Sequence, residues 1–276
     1  MMMTNIPLKT LYNGVSVPQL GLGVYKVPPE DVYQTVSSAL KAGYRHIDTA
    51  SYYENENGVG KAIKDSGIPR EKLFITTKVW NDDHGYDRTL QAFEKSMEKL
   101  NMDYVDLYLI HWPIPEIFPE TWKALEKLYK DGRVKAIGVS NFLDHHLQTL
   151  LTDAKIKPVV NQIELHPKLI QKQTVEFCRE NDIAVESWSP LGRARYLDDV
   201  ILEKLAKKYD KTVAQIMIRW HIQHDFIVIP KSTKAKRQAE NMAVFDFELS
   251  PEDMKQIDGM DEGFRIGSHP DEIMNK

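Results

Sequence analysis

Short apolar stretches recur along the chain, and each is followed by a longer stretch in which apolar residues return every three or four positions. A short apolar run is typical of a buried strand, whereas the longer spacing is typical of a helix with one apolar face. The pattern therefore predicts strands that alternate with helices. The eight runs are LGLGVY near position 20, YRHIDTA near 47, LFITTKVW near 76, VDLYLIH near 108, AIGVSN near 138, VVNQIEL near 161, AVESWSP near 186 and FIVIPKS near 229.

The stretches between the runs have the pattern of helices that cover a sheet. Leu90, Phe93, Met97 and Leu100 fall on one helical face, and Glu and Lys occupy the others. The stretch before the eighth run is longer than the rest and predicts two helices, DVILEKLAKKY and TVAQIMIRWHIQ. We expect these helices to pack on the outside of the sheet.

Eight strands that alternate with helices favour a closed (β/α)8 TIM barrel of the α/β class, with an open doubly wound sheet as the alternative. The length of 276 residues suits one barrel domain spanning 1–276. Ahead of the first run, LKTLYNGVSVPQL predicts a β-hairpin that turns at Asn13 and Gly14, because both accept the positive φ angles of a two-residue turn. We expect the hairpin to plug the bottom of the barrel.

The composition mainly argues against certain partners, locations and bonds. With 36 Lys and Arg against 40 Asp and Glu, the net charge is −4, which argues against nucleic acid as a partner. The chain lacks the apolar run of about 18 residues that a membrane span needs, and its start does not resemble a signal peptide, so we expect a cytoplasmic protein. We also expect a monomer. The single cysteine, Cys178, permits no internal disulfide. We expect it to be a packed apolar side chain, with a reactive thiol as the alternative.

Polar residues stand where the apolar runs end, and in a parallel barrel those ends build the active site. Asp48 ends the second run, Lys78 the third and His111 the fourth. Each alone is typical of a solvated rim residue. Because Asp48 and Lys78 both have bulky apolar neighbours, however, a partly buried ion pair is the better interpretation.

Four stretches resemble the signature stretches of the aldo-keto reductases. They are GYRHIDTASYYENENGVG (43–60), KAIGVSNF (135–142), NQIELHP (161–167) and IPKSTKAKR (229–237), in the family's order and approximate spacing. The first is the most specific, because it has Asp, then Tyr five residues later, then Asn-Glu and Val-Gly. The resemblance covers nearly the whole chain, and it is closest to the short microbial members, similar to the diketogluconate and glyoxal reductases.

The resemblance implies a barrel that binds NADPH in an extended form and reduces an aldehyde or ketone by direct hydride transfer. The family's tetrad corresponds to Asp48, Tyr53, Lys78 and His111. Tyr52 directly precedes Tyr53, but the five-residue offset from Asp48 selects Tyr53. The chain contains no GxGxxG motif, which agrees with cofactor binding without a Rossmann domain.

These residue types suit the chemistry. A proton donor placed at the carbonyl oxygen increases the reaction rate by about 10²–10⁴-fold, and the resemblance implies that Tyr53 is that donor. Tyrosine ordinarily has a pKa of about 10, so we expect the Lys78 ammonium to favour the phenolate. Asp48 would hold Lys78 in place and compensate for its burial. A neutral His111 would hydrogen-bond the carbonyl and fix its orientation.

The resemblance also implies contacts to NADPH or NADP⁺ along the barrel mouth. It places the nicotinamide on an aromatic ring and the adenosine phosphate after the eighth strand, at the usual phosphate site of a barrel. The implied residues are Ser140, Asn141 and Gln162 for the carboxamide, Trp188 for stacking, Ser189 and Leu191 near the pyrophosphate, Lys231, Ser232 and Arg237 for the 2′-phosphate, and Glu240 and Asn241 for the adenine.

The substrate pocket is less defined. Tyr25, Trp80 and Trp112 follow the first, third and fourth strands, and with His111 we expect them to line an apolar pocket for small reactive carbonyls. We expect no metal site, since the His residues lack HxH or HExxH pairing. Two other functions stay open: a nicotinamide-binding sensor subunit with weak turnover, and a metal-assisted barrel hydrolase. Use of NADH beside NADPH also stays open.

Overall fold

The predicted alternation of strands and helices is present in the computed structural model, which describes residues 6–273. The strands are β1 (Leu8–Thr10), β2 (Ser16–Pro18), β3 (Leu22–Gly23), β4 (His46–Asp48), β5 (Phe74–Val79), β6 (Val105–Ile110), β7 (Val134–Ser140), β8 (Val160–Glu164), β9 (Ala184–Trp188) and β10 (Ile227–Val228). The helices are α1 (Pro29–Ala42), α2 (Glu56–Asp65), α3 (Tyr86–Leu100), α4 (Phe118–Lys130), α5 (Asp144–Asp153), α6 (Lys172–Glu180), α7 (Val200–Tyr209), α8 (Val213–Gln223), α9 (Ala235–Met242) and α10 (Pro251–Asp258).

Strands β3 to β10 form one sheet of parallel strands in chain order, and the sheet closes on itself. The closure lies between the start of β3 and the end of β10, where Leu20 bridges Val228 in parallel. Gly21 N donates to Val228 O at 2.9 Å, and Val228 N donates to Gln19 O at 2.9 Å. The fold is therefore the (β/α)8 barrel predicted, and the open sheet is excluded.

The N-terminal hairpin is present, but its turn differs from the one predicted. Leu11 N donates to Val15 O at 2.8 Å, and Gly14 N donates to Leu11 O at 2.9 Å. Of the two residues predicted to form the turn, Gly14 has a positive φ, of 84°, and Asn13 does not. The loop thus has three residues and ends in a glycine bulge, so the two-residue turn was wrong. A type I turn followed by one left-handed residue needs a positive φ only once, and glycine adopts it without a steric penalty.

The hairpin plugs the bottom of the barrel, as predicted. Leu11 and Val17 are buried and pack in one apolar cluster with residues from the barrel strands. This cluster closes the end opposite the carboxyl ends of the strands. Its other buried members are Phe74, Leu107, Leu109, Ala136, Val159, Val160, Ala184 and Ile227.

The main core lies between the strands and the surrounding helices. Phe93 of α3 meets Tyr108 of β6 edge to face, with ring centroids 5.1 Å apart. Cys178 of α6 is also fully buried there, 3.6 Å from Asn161 Nδ2, and burial raises the pKa of its thiol to about 12. The expectation of a packed cysteine is confirmed. No helix within residues 6–273 is long and apolar enough to cross a bilayer.

The segment 264–273 is held against the barrel mouth at two points. The buried carboxylate of Glu164, at the end of β8, accepts from Ile266 N at 2.6 Å and from Gly267 N at 2.9 Å. Further along, Asp271 Oδ1 lies 2.9 Å from His145 Nε2 and 3.1 Å from His146 Nε2. His146 Nδ1 accepts from the backbone at the start of α5, so its Nε2 carries the proton and donates to Asp271. The contacts of Asp271 with His145 and His146 therefore hold the segment 264–273 against the start of α5.

Candidate active site

A cavity of about 980 Å³ opens at the carboxyl ends of the strands. Its volume falls at the upper end of the range of ligand pockets. The sequence-predicted site residues line it, except Lys78, which lies behind the wall. Those in the lining are Tyr25, Asp48, Tyr53, Trp80, His111, Trp112, Ser140, Asn141, Gln162, Trp188, Ser189, Leu191, Lys231, Ser232, Arg237, Glu240 and Asn241.

Lys78 forms the buried ion pair that the sequence predicts. Its side chain is fully buried, and Nζ lies 2.7 Å from Asp48 Oδ1 and 2.9 Å from Thr49 O. The same Nζ lies 3.5 Å from the hydroxyl of Tyr53. The ammonium thus sits between the carboxylate of Asp48 and the phenol of Tyr53, which lines the cavity. Adjacent parallel strands, β4 and β5, place Asp48 and Lys78 side by side.

A rigid turn positions Tyr53. After β4 the chain forms a 3-10 helix, Ser51–Tyr53, in which Ser51 Oγ donates to Lys78 O at 3.0 Å. Asn55 fixes the next residues, because its side-chain amide donates to Val24 O and Val27 O, both at 3.1 Å. These bonds tie the turn to β5 and to the loop after β3, so the Tyr53 ring has little freedom.

Tyr52 points elsewhere. Its side chain is 50% exposed, and its ring stacks on Trp80 with centroids 3.7 Å apart and an interplanar angle of 19°. The ring of Tyr53, in contrast, packs against Tyr25 at 5.0 Å and His111 at 5.6 Å between centroids. The geometry therefore separates the two neighbouring tyrosines as the five-residue offset predicts.

The ionisation of Tyr53 differs from the expectation. Burial, followed by the charge of Asp48, holds the pKa of Tyr53 well above its ordinary value of 10. Burial and the charge of Asp48 together outweigh the ammonium of Lys78, which lies 3.5 Å from the Tyr53 hydroxyl. Near neutral pH Tyr53 is therefore a protonated phenol, which is the form a proton donor needs.

His111 is neutral, as predicted. It follows β6, lines the cavity and is 7% exposed. Burial, and then the positive charge of Lys78, hold the pKa of His111 well below its ordinary value of 6.5. Its ring meets Trp80 edge to face at 5.1 Å between centroids. A neutral imidazole can accept or donate one hydrogen bond at the carbonyl without adding a buried charge.

One polar network joins the ion pair to the large aromatic at the cavity floor. Gln162 Nε2 donates to Asp48 Oδ2 at 2.8 Å, and Ser140 Oγ donates to Gln162 O at 2.9 Å. Asn141, which has a φ of 63°, donates to His111 O at 3.0 Å and accepts from Trp188 Nε1 at 2.8 Å. The Asn141 amide also donates to Ser140 Oγ at 3.1 Å, so Ser140 links the two amides predicted to bind the carboxamide, and Asn141 holds Trp188 in place.

The far end of the cavity is positively charged. Lys231 follows β10, and Arg237 lies in the short helix α9; both are exposed. Across residues 6–273 neither forms an ion pair, which distinguishes them from lysines such as Lys211, paired to Asp246. Ser232 Oγ accepts from Lys234 N at 3.2 Å and orders the turn between them. An anionic ligand would find two uncommitted cations here.

The cavity also has lining residues that sequence reasoning missed. Ile266, Gly267, Ser268 and Ile273 come from the C-terminal segment, and others come from the start of α8. A Cβ atom at Gly267 would lie 2.5 Å from Trp188 Cη2, so the backbone touches the indole directly. The strand-end rule could not predict these residues, because the segment 264–273 follows helix α10 and not a strand. Only Gly267, the second glycine of GFRIGSHP, could have signalled such a close approach.

Comparison with known proteins agrees with this geometry. Residues 18–262 match the model of the aldo/keto reductase family. The chain is 54% identical over 265 residues to the glyoxal reductase of Bacillus subtilis, covering 96% of each chain. It is 48% identical over 275 residues to the methylglyoxal reductase DkgA of Salmonella typhimurium, covering 98% of this chain and 99% of that one.

Among solved structures, the aldo-keto reductase of Bombyx mori in complex with NADP matches with a TM-score of 0.90 at 37% identity, covering 96% of both chains. With the family model, the relatives and the fold in agreement, this chain belongs to the aldo/keto reductase family.

Proposed function

We propose that the chain is an NADPH-dependent reductase that converts small aldehydes and ketones, dicarbonyls above all, to alcohols with Tyr53 as the general acid. The observation that carries the proposal is the position of the Tyr53 hydroxyl, which faces the cavity 3.5 Å from the buried Lys78 Nζ. The names of two relatives, a glyoxal and a methylglyoxal reductase, support the substrate class.

The cavity fits a dinucleotide. Trp188 offers an apolar ring near the tetrad, and Lys231 and Arg237 offer unpaired positive charge at the far end. NADPH, when bound, supplies the hydride that reduces the carbonyl carbon. The chain would hold its nicotinamide end with Asn141 and Trp188 and its 2′-phosphate with Lys231 and Arg237.

The remaining chemistry belongs to the side chains. The carbonyl oxygen becomes negative as the carbon is reduced, and Tyr53, which is a protonated phenol near neutral pH, gives it a proton. Lys78 then faces a developing phenolate and stabilises it, while Asp48 keeps the ammonium charged and fixed. His111, which stays neutral, hydrogen-bonds the carbonyl oxygen and aims it at Tyr53.

The rim around Tyr53 favours small substrates. Tyr25, Tyr52, Trp80 and Trp112 surround the opening with apolar rings, and two of them, Tyr52 and Trp80, are stacked. The segment between β6 and α4 is short, so it covers only a small part of a bound ligand. We expect compact, reactive carbonyls to react with broad tolerance and steroids to react poorly.

The test is NADPH oxidation followed at saturating cofactor with a panel of glyoxal, methylglyoxal, an aromatic aldehyde, an aldose and a steroid ketone. The proposal expects the highest kcat/KM for the dicarbonyls. Tight NADPH binding without any turnover would instead support the sensor function, and a bound metal found by metal analysis, with no NADPH oxidation, would support a hydrolase. The proposal includes a cytoplasmic, monomeric enzyme, which cell fractionation and sedimentation would test.

A further inference from the structure

Glu186 is a buried carboxyl group that the proposed reaction does not use. It lies in β9, two residues before Trp188, and its side chain is fully buried. Within residues 6–273 neither of its carboxyl oxygens has a hydrogen-bond partner. An ionised carboxylate without partners in a dry interior is strongly unfavourable, whereas a protonated carboxyl group is tolerated at much lower cost.

The neighbouring imidazole of His46 favours the protonated form. His46 Nδ1 lies 3.3 Å from the carbonyl oxygen of Pro18, so Nδ1 donates and carries the imidazole proton. His46 Nε2 is therefore an acceptor, which lies 3.4 Å from Thr76 Oγ1 and faces Glu186 Oε1 at 3.7 Å. Burial lowers the pKa of His46 to about 3, which keeps the ring neutral. A protonated Glu186 can donate toward Nε2, whereas an ionised one would meet a lone pair.

The charges around Glu186 lead to the same conclusion. The ionisable groups that face it are His46 and Asp48 from β4, Lys78 from β5 and Tyr53 from the turn after β4. Lys78 and the neutral amide of Gln162 from β8 lower the pKa of Glu186, but burial and Asp48 outweigh them. Lys78 supplies a single positive charge, and Asp48 at 2.7 Å already balances it. A second carboxylate would leave the interior with a net negative charge. Burial, and then the charge of Asp48, raise the pKa of Glu186 to about 8.

We propose that Glu186 is a protonated carboxylic acid in the active enzyme, and that losing this proton to solvent slows the proton transfer from Tyr53. Glu186 is a positioning residue in this role, since it acts through Tyr53 and touches no substrate. Its negative charge would add to that of Asp48 and oppose the phenolate that forms on Tyr53. The inference rests on the proposed reductase function.

The first test compares the pH profile of glyoxal reduction for the wild type and Glu186→Gln. We expect the wild-type kcat to fall as pH rises through about 8, by about 10-fold one pH unit above the midpoint, and the variant to keep its plateau there. The matched control is Glu126→Gln. Glu126 is also buried, but it accepts from Lys155 N and Ile156 N, far from the barrel interior.

The control is expected to follow the wild-type profile. Superimposable profiles for the wild type and Glu186→Gln, with the same alkaline limb, would overturn the inference.

The second test does not need turnover. The infrared difference spectrum of the wild type between pH 6 and pH 10 is expected to show loss of a protonated-carboxyl band, and Glu186→Gln is expected to lack that band. A wild type without the band at pH 6 would overturn the inference even if the variant fails to fold. If the wild type reduces no carbonyl at any pH, the proposed function fails, and the infrared result still decides whether Glu186 is protonated.

Discussion

The ammonium of Lys78 lies 3.5 Å from the hydroxyl of Tyr53, and the cation also sits 5.1 Å from the centre of the same ring. Tyr52, the next residue along the chain, has its ring stacked on Trp80 instead. Two adjacent tyrosines therefore have different environments, one beside a buried ion pair and one half in solvent. This difference makes the assignment of the proton donor testable with a built-in control.

Tyr53→Phe is expected to lower aldehyde reduction by at least about 10²-fold while NADPH binding stays nearly unchanged, because only the proton donor is lost. Single-turnover rates and cofactor titration by tryptophan quenching measure the two effects separately. Tyr52→Phe is the matched control and should change kcat only slightly. A large loss of kcat in Tyr52→Phe together with a small loss in Tyr53→Phe would refute the assignment of the proton donor from its five-residue offset from Asp48.

Lys231→Ala combined with Arg237→Ala is expected to weaken NADPH binding by about 10²-fold or more. Each lost hydrogen bond to a charged group is worth roughly 1.5–3 kcal/mol, and about 1.4 kcal/mol corresponds to tenfold in affinity. NADH, which lacks the 2′-phosphate, should lose far less. Lys236→Ala serves as control, because Lys236 is exposed on the same helix, α9, but does not line the cavity. Equal losses for both cofactors would contradict the assignment.

Gly267→Ala is expected to raise the KM for NADPH several-fold and to change the fluorescence of Trp188. The added methyl would lie 2.5 Å from Trp188 Cη2 and 3.0 Å from Glu164 Oε2, so the indole or the segment must move. Gly259→Ala is the control, since a Cβ there meets its nearest atom at an ordinary 3.4 Å. Unchanged cofactor kinetics in Gly267→Ala would show that the C-terminal segment does not set the position of the ring.

Glu186 also predicts a pH dependence of stability. Its pKa is about 8 in the folded chain against an ordinary 4.5, so between these values the folded state binds more protons than the unfolded state. The free energy of unfolding therefore falls as pH rises through this window. Glu186→Gln removes the effect and should be more stable than the wild type at pH 8–9 by a few kcal/mol. Urea unfolding measures it, and a stability difference that does not change between pH 4 and pH 9 would disprove it.

Much of the barrel and of the tetrad could be predicted from the sequence. The strands and helices follow from two periodicities of apolar residues, which are local properties of the chain. The strand-end rule then places Asp48, Lys78 and His111 at one mouth, because parallel strands in a barrel all end there. The pairing of Lys78 with Asp48 follows from their positions on adjacent strands.

Other features depend on contacts between residues far apart in sequence, and only the folded chain decides them. The protonated state of Tyr53 results from burial beside Asp48, and the environment of Glu186 is built from β4, β5 and β8 together. Gly267 packs on Trp188, although the two residues lie 79 positions apart in the chain. Periodicity determines which face of an element is buried, whereas charge balance and desolvation in the interior depend on which side chains the closed barrel brings together.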